Sequence, residues 1–305
     1  MISISLWLGF VAFLVLALVL DLGVFNKKDH IVSTKESIFW TLCWTGMAIA
    51  FKFFLAANVG VEESDQFLAG YLLERILSID NIFVFLLIFS YFKVPHHLQQ
   101  RALVIGIIFA IVLRGIFIAL GAELVQSFAW ILYIFGAFLV YTGIKIILPH
   151  EEHENLDNNG IVKFCKKHFG VASGYDGSHI FTMENGKKVL TMFGLTTVVL
   201  ATSDVIFAVD SIPAIFSITQ DTFIVFTANV FSVLGLRAVF FLIAGIIDKF
   251  YYLKYALSLI LTFVGVKMLI VNLYHIDINH SLVFILMTFV VAIIASVVRS
   301  NIVKK

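Results

Sequence analysis

Glu74-Arg75-Ile76-Leu77-Ser78-Ile79-Asp80-Asn81-Ile82 and Asp204-Val205-Ile206-Phe207-Ala208-Val209-Asp210-Ser211-Ile212 are two settings of one pattern: an acid, five residues, an aspartate, a small polar residue and isoleucine. Each lies inside a mostly apolar run of about 20 residues or more, the length a helix needs to cross the hydrocarbon core of a bilayer. Working outward, the next apolar segments match as well. Leu113-Arg114-Gly115-Ile116-Phe117 pairs with Leu236-Arg237-Ala238-Val239-Phe240, and Gly143-Ile144-Lys145-Ile146 with Gly265-Val266-Lys267-Met268. The pairs keep their order, at offsets of 130, 123 and 122 residues for the acids, arginines and lysines. A three-helix unit is therefore duplicated. Three crossings is an odd number, so the second copy enters the membrane from the opposite side. Inverted repeats of this kind place a site near the bilayer midplane.

Composition agrees with a membrane solvent. Of 305 residues, 61% are hydrophobic and 13% charged, with mean hydropathy +1.02, against roughly 45–50% apolar and 25% charged in soluble domains. A water-soluble globule is excluded. Nine candidate spans follow, at about 3–25, 36–57, 67–92, 102–121, 125–148, 190–218, 223–246, 253–274 and 281–302. The expected fold is an all-α polytopic membrane protein of about nine transmembrane helices, with an inverted repeat of two three-helix units. It divides into helices one and two (1–66), the first repeat (67–148), a loop (149–189), the second repeat (190–274) and a last helix (275–305). Met1 to Leu20 contains no Lys or Arg, so the first span reads as a retained helix and not a secretory signal.

Lysines and arginines outside the apolar runs fall in alternate connections: Lys27, Lys28 and Lys35; Lys93 and Arg101; Lys163 to Lys188; Lys249 and Lys254; Arg299, Lys304 and Lys305. The intervening loops are short and acidic. The positive-inside rule then puts the N-terminus outside and the C-terminus in the cytoplasm, a parity that nine spans satisfy. The 149–189 connection becomes a cytoplasmic loop, expected to be flexible around Asn155 to Gly160 and too short for its own core.

Intramembrane ionisable groups are costly, face the bundle interior or a water path, and are functional candidates by default. Glu74 and Asp80 lie about 10 and 20 Å along the third span at about 1.5 Å per residue. Asp204 and Asp210 occupy the second half of the sixth. On an ideal helix Glu74, Ser78 and Asn81 share a face, as do Asp204 and Ser211, whereas Asp80 and Asp210 lie about 120° away. A helix broken at Pro213 would reconcile the two directions by freeing carbonyls. Two readings stay open. In one, the acids merely pair with Arg75, Arg114 and Arg237 and fix helix packing. In the other, the oxygens of Ser78, Asn81, Thr202, Ser203, Ser211 and Asn229 complete a site for a hard cation while the arginines balance charge. Asp21 is either a helix-end carboxylate or a vestibule ligand, and Lys145 and Lys267 are expected to snorkel to the interface.

Several classes drop out. A net charge of +1 gives no bulk attraction to nucleic acid, and two cysteines make neither a disulfide framework nor a thiolate metal site. All nine histidines, among them His150 and His153, fall in or beside predicted loops, so the buried constellation is oxygen-only and suits Mg, Ca or Mn. No phosphate loop, nucleophile elbow or acid-base-oxyanion set appears, so an enzyme is not expected. No cofactor is expected either.

The two acidic motifs, together with Trp130 through Phe138, Asn229 through Phe240 and Lys254 through Leu269, closely resemble the TerC family of bacterial integral membrane proteins, in particular its Alx-like members. The resemblance covers nearly the whole chain. The family is implicated in manganese efflux, tellurium-resistance gene clusters and alkaline-pH response, and is grouped with LysE-type exporters. That implies an inner-membrane exporter of a divalent metal ion, Mn²⁺ first, with protons as the candidate counter-ion. By position it implies Glu74, Asp80, Asp204 and Asp210 as the cation path, with Asp21, Asn81 and Ser211 as companions. The rivals are an exporter of another cation such as Ca²⁺, and a non-transporting membrane partner that assists insertion or metallation of exported proteins. The four-acid path predicts that Asp80→Asn or Asp210→Asn abolishes manganese export from cells while membrane level stays intact. Unchanged export in either variant removes that residue from the path.

Overall fold

Two helix starts show how the sequence cuts this chain into elements. Ser33 Oγ accepts from Glu36 N, and Thr191 Oγ1 from Gly194 N, each satisfying one of the orphan donors of a first turn. The helices that follow are α2 (Thr34–Asn58) and α7 (Met192–Phe216). The computed structural model describes residues 3–20, 32–128, 130–147, 160–184, 186–244, 251–274 and 276–303, excluding the side chains of Asp80, Phe83, Gln126, Asp210 and 301–303. Its other elements are α1 (Ile4–Leu20), α3 (Val61–Tyr91), α4 (His96–Ser127), α5 (Ile131–Ile147), α6 (Gly160–Phe169), β1 (Phe181–Glu184), β2 (Lys187–Leu190), α8 (Thr222–Ala244), α9 (Leu253–Leu269) and α10 (Ile278–Val303).

Among the described residues, five helices are long and apolar enough to cross a membrane: α2, α4, α7, α8 and α10. Helices α1 and α5 are apolar but only 17 residues long. The 31-residue α3 carries Glu74, Arg75 and Asp80 in its middle. It starts at Val61, ahead of the expected residue 67, because Glu62 and Glu63 favour a first helical turn although they lower its hydropathy.

Helix α8 sits at the centre. Most of its side chains are buried, the polar Asn229, Ser232 and Arg237 among them. Helix α3 packs chiefly on α8, α4 on α7, and α5 on α9. Helices α3 and α7 run in opposite senses. The C-terminus of α3 and the N-terminus of α7 share an apolar cluster that includes Phe89, Phe92, Leu190 and Phe193. At the other end, Glu62 and Asp65 of α3 line the same cavity as Phe216, the last residue of α7, and Ser217 to Gln220 beyond it.

Helices α5 and α9 approach each other closely at two glycines. A Cβ on Gly136 would lie 2.9 Å from the Gly265 carbonyl oxygen, and one on Gly265 would lie 2.6 Å from that of Gly136. Only glycine fits either place. Farther along, Ser258 Oγ donates to the Gly143 carbonyl at 2.5 Å.

Two expectations are corrected. The 149–189 connection is not an unstructured loop over its described part. Helix α6 and the antiparallel hairpin β1–β2 form a cap on the helix ends, and an otherwise all-α chain gains two short strands. Val162 and Cys165 of α6 enter the same cluster as Phe92 and Phe193. Tyr175 donates to the Phe92 carbonyl at 2.8 Å and Thr191 to that of His179 at 2.5 Å. Its described part is ordered through this shared cluster; Asn155 to Asn159 lie outside the described residues. Pro213 does not break α7 either. It stands in the last turn, where its missing N–H costs one bond, and the helix runs on to Phe216.

Burial pushes the Cys165 thiol above the usual cysteine range. In a Cys43→Ser background, maleimide labelling at pH 7 is therefore expected to be slower than for an unfolded control and to rise with pH. Tyr175→Phe removes one hydrogen bond, about 0.5–1.5 kcal/mol, and should speed labelling several-fold. A rate equal to the unfolded control would show that the cap does not cover this thiol.

Candidate ion-binding site

Asp204 lies midway along α7, Glu74 near the middle of α3 and Arg114 past the middle of α4. The packing of α4 on α7 beside α3 brings the three together. Arg114 donates from Nε to Asp204 Oδ2 at 2.9 Å and from Nη2 to Oδ1 at 3.0 Å, the two-point geometry that fits a carboxylate to a guanidinium. Its Nη1 donates to Glu74 Oε1. The residues are 3, 0 and 1% exposed for Asp204, Glu74 and Arg114. With both carboxylates ionised, the triad carries one negative charge more than Arg114 neutralises.

Glu74 also borders a cavity of about 40 Å³ with Ser78, Asn81 and Ser211, walled by side chains such as Ile146, Phe207 and Leu257. A water needs roughly 10–15 Å³ by this measure, so the hollow accommodates a bare ion with one or two waters. Glu74 Oε2 and Ser211 Oγ make no hydrogen bond at normal bonding distance among the described residues. Asp204 borders a smaller hollow of about 10 Å³, lined by apolar residues such as Phe85, Leu103 and Leu200. Arg114 thus bridges an acid on a polar hollow and an acid on an apolar one.

The other predicted residues divide as follows. Asp80 and Asp210 lie within α3 and α7, but their side chains are outside the described residues, and Asp21 is outside them altogether. Asn229 is buried in α8 and does not line the polar cavity. Arg237 is buried in α8. Arg75 does not serve its neighbour Glu74. One residue on a helix turns about 100°, which points Arg75 at α8, where Nη1 donates to the Ser232 carbonyl at 2.9 Å. Gly235 makes the slot, since a Cβ there would collide with the guanidinium. Ser232, whose Oγ lies 3.4 Å from Ser78 Oγ, and Gly235 were missed by sequence reasoning, and a lone Ser and Gly in an apolar run give no signal. Among the described residues no three His, Cys, Asp or Glu side chains converge. The site described is a pair of acids and three neutral oxygen-bearing side chains.

A second cavity, about 650 Å³, opens where α3 begins and α7 and α9 end. Glu62, Asp65, Asp277 and Lys267 line it. Asp65 is paired with Lys52 at 3.2 Å. Lys267 does not simply snorkel: its Nζ donates to Ser281 Oγ at 2.9 Å. Lys145, by contrast, is exposed.

Residues 59–305 match the model of the integral membrane protein TerC family. The chain belongs to the TerC family. It is 42% identical over 299 residues to the "Uncharacterized membrane protein STKORF319" of Myxococcus xanthus, covering 98% of this chain and 94% of that protein. It is 44% identical to the "Putative membrane-bound redox modulator Alx" of Escherichia coli K12, and likewise to that of Shigella flexneri, covering 94% of this chain and 93% of each relative. No solved structure matches it. As a TerC-family protein it is a multi-pass membrane protein, and the ionic triad is buried among its helices.

Removing one partner of a buried ion pair costs about 3–5 kcal/mol, because a charge is left without compensation. Arg114→Leu should therefore lower the thermal stability and folded yield of the detergent-solubilised protein sharply. Adding Glu74→Gln and Asp204→Asn to it should restore most of the loss. Equal melting temperatures for wild type and Arg114→Leu, by fluorescence-detected size exclusion, would show that the triad does not hold the fold.

Proposed function

We propose that this chain is an inner-membrane transporter that exports divalent metal cations, Mn²⁺ foremost, from the cytoplasm in exchange for protons. One observation carries the reading: two carboxylates from oppositely running helices converge on a single guanidinium beside a polar hollow in the middle of the bundle. Carboxylate and neutral oxygen ligands suit Mn²⁺, Mg²⁺ and Ca²⁺. The choice of manganese and of the outward direction comes from the family resemblance.

The inverted repeat belongs to this proposal and has two supports. Exchanging the repeats, α3 with α7, α4 with α8 and α5 with α9, turns the α3–α8 contact into the α7–α4 contact, and both are extensive. The 122-residue offset between Lys145 and Lys267 likewise turns the Gly143–Ser258 approach into the Gly265–Gly136 approach. Helices α5 and α9 thus cross on the proposed axis. Nine spans, with the N-terminus outside and the C-terminus in the cytoplasm, complete the arrangement, and the 650 Å³ cavity is then its outer vestibule.

In this arrangement Arg114 fills the place between the acids while no ion is bound. An entering divalent cation displaces the guanidinium, and two carboxylates against one M²⁺ leave no net charge. When the ion leaves outward, protons take its place on the carboxylates, so the empty carrier returns without two bare carboxylates in a low-dielectric interior; once they are released inside, Arg114 again fills the place between the acids. Asp80 and Asp210, about one and two-thirds helical turns along from Glu74 and Asp204, are assigned to the same path as further ligands or proton acceptors.

The Escherichia coli relative is named a membrane-bound redox modulator. Cys43 in α2 and Cys165 in α6 are both free here, and in the transporter reading a change in metal level is the route by which the carrier would alter redox state. A second reading has the cap as a docking element for exported proteins. Its support is the exposure of Phe164, Phe181 and Met183 on the cap.

The purified protein reconstituted in liposomes with an entrapped indicator should show Mn²⁺ flux that a pH gradient accelerates. Loss of even outer-shell partners costs about 10–100-fold in metal affinity, so Glu74→Gln and Asp204→Asn should lower the flux at least that far. Competition by Ca²⁺ and Mg²⁺ ranks the ions. No flux from a monodisperse wild type under any gradient would move the assignment to the docking reading.

A further inference from the structure

A groove of about 470 Å³ runs along the outside of α9 and α10 and shares no lining residue with the cavities beside the acids. Its walls are Leu259, Met287 and Val291 with the small side chains of Ala256, Ala292 and Ala295. One end is closed by Tyr252 and Tyr255, whose rings meet that of Tyr251 at 5.1 and 6.1 Å between centroids. Two cations converge on this tyrosine cluster. The Arg299 guanidinium lies 3.2 Å from the Tyr251 ring centre and 5.7 Å from that of Tyr252. Lys254 Nζ lies 5.3 Å from the Tyr255 ring centre and 6.0 Å from that of Tyr251. Among the described residues no carboxylate pairs with either cation. The start of α9 is tied to α10 beneath them, since Tyr252 N donates to Ser296 Oγ at 3.0 Å.

A tyrosine cluster with Lys and Arg at a helix end is the composition of a membrane–water interface. An apolar channel leading away from it into the hydrocarbon has the chemistry of an acyl chain, and the paired cations have that of a phosphate. Two cations facing one phosphate leave a positive surplus. A zwitterionic headgroup would bring its amine into that field, whereas an anionic headgroup would not. We infer that the α9–α10 groove is a binding site for phosphatidylglycerol, one acyl chain along Leu259 and Val291 and the phosphate between Lys254 and Arg299. The site stands on its own geometry and does not depend on whether the chain moves ions.

Native mass spectrometry of the full-length protein tests it. Delipidated protein is offered equimolar phosphatidylglycerol and phosphatidylethanolamine, and one phosphatidylglycerol should be retained in roughly ten-fold preference. Lys254→Gln with Arg299→Gln should abolish the preference, Arg299→Lys should keep part of it, and Ala295→Leu, which fills the groove and spares the charges, should weaken retention of both lipids. Each variant is first shown to be monodisperse. Where the charge variants fail to fold, inorganic phosphate added to wild type at millimolar concentration gives the independent readout: displacement of the lipid places the headgroup on the cations. Equal retention of the two lipids, or a preference that survives both the charge variants and Ala295→Leu, overturns the site.

Discussion

One guanidinium shared between two acids fixes the middle of this protein. Helices in a bilayer gain little by burying apolar surface against each other, because lipid is as apolar as leucine. Polar contacts and close backbone approaches set the register. Arg114 requires α3, α4 and α7 to meet at one depth and one rotation each, since its three donors are fixed in a plane and each acid sits on a different helix. Arg75 then ties α3 to α8 through Ser232, and Gly235 keeps that slot open. The helices that carry the acids are thereby located by charge, and the phenylalanine-rich packing of α1, α2 and α8 closes around them.

Much of this was legible because charge is scarce in the apolar runs. Glu74, Arg114 and Asp204 stood out in segments with few rivals, and helical arithmetic put Glu74, Ser78 and Asn81 on one face, where the structure places them around one cavity. The pairing was not legible. Whether Arg114 meets one acid or both depends on how α4 crosses two other helices, which no local pattern encodes. Pro213 misled for the opposite reason: its effect depends on how many residues of helix follow, and here only the last turn does. The hairpin did leave a signal. Asn185-Gly186 between Phe181-Thr182-Met183 and Lys187-Lys188-Val189-Leu190 is a hairpin turn sequence, outweighed by the reading of all polar stretches between spans as loop.

The cap is joined to the bundle at the point where it can feel α7. Thr191 Oγ1 accepts from Gly194 N inside that helix and donates to the His179 carbonyl in the cap. The same side chain therefore closes the first turn of the helix bearing Asp204 and anchors the turn ahead of the hairpin. Leu190 and Phe193, on either side of it, belong to one apolar cluster with Phe92 and Cys165. A displacement of α7 along its axis would have to carry the cap with it or part that cluster.

The crossing of α5 and α9 sets a different limit. Where Gly136 faces Gly265, no side chain lies between the two main chains, so nothing soft is available to be compressed or to change rotamer. Sliding one past the other would also part Ser258 from the Gly143 carbonyl. The two helices consequently behave as a single rivet through the bundle. Any rearrangement of the bundle has to take place around this fixed crossing.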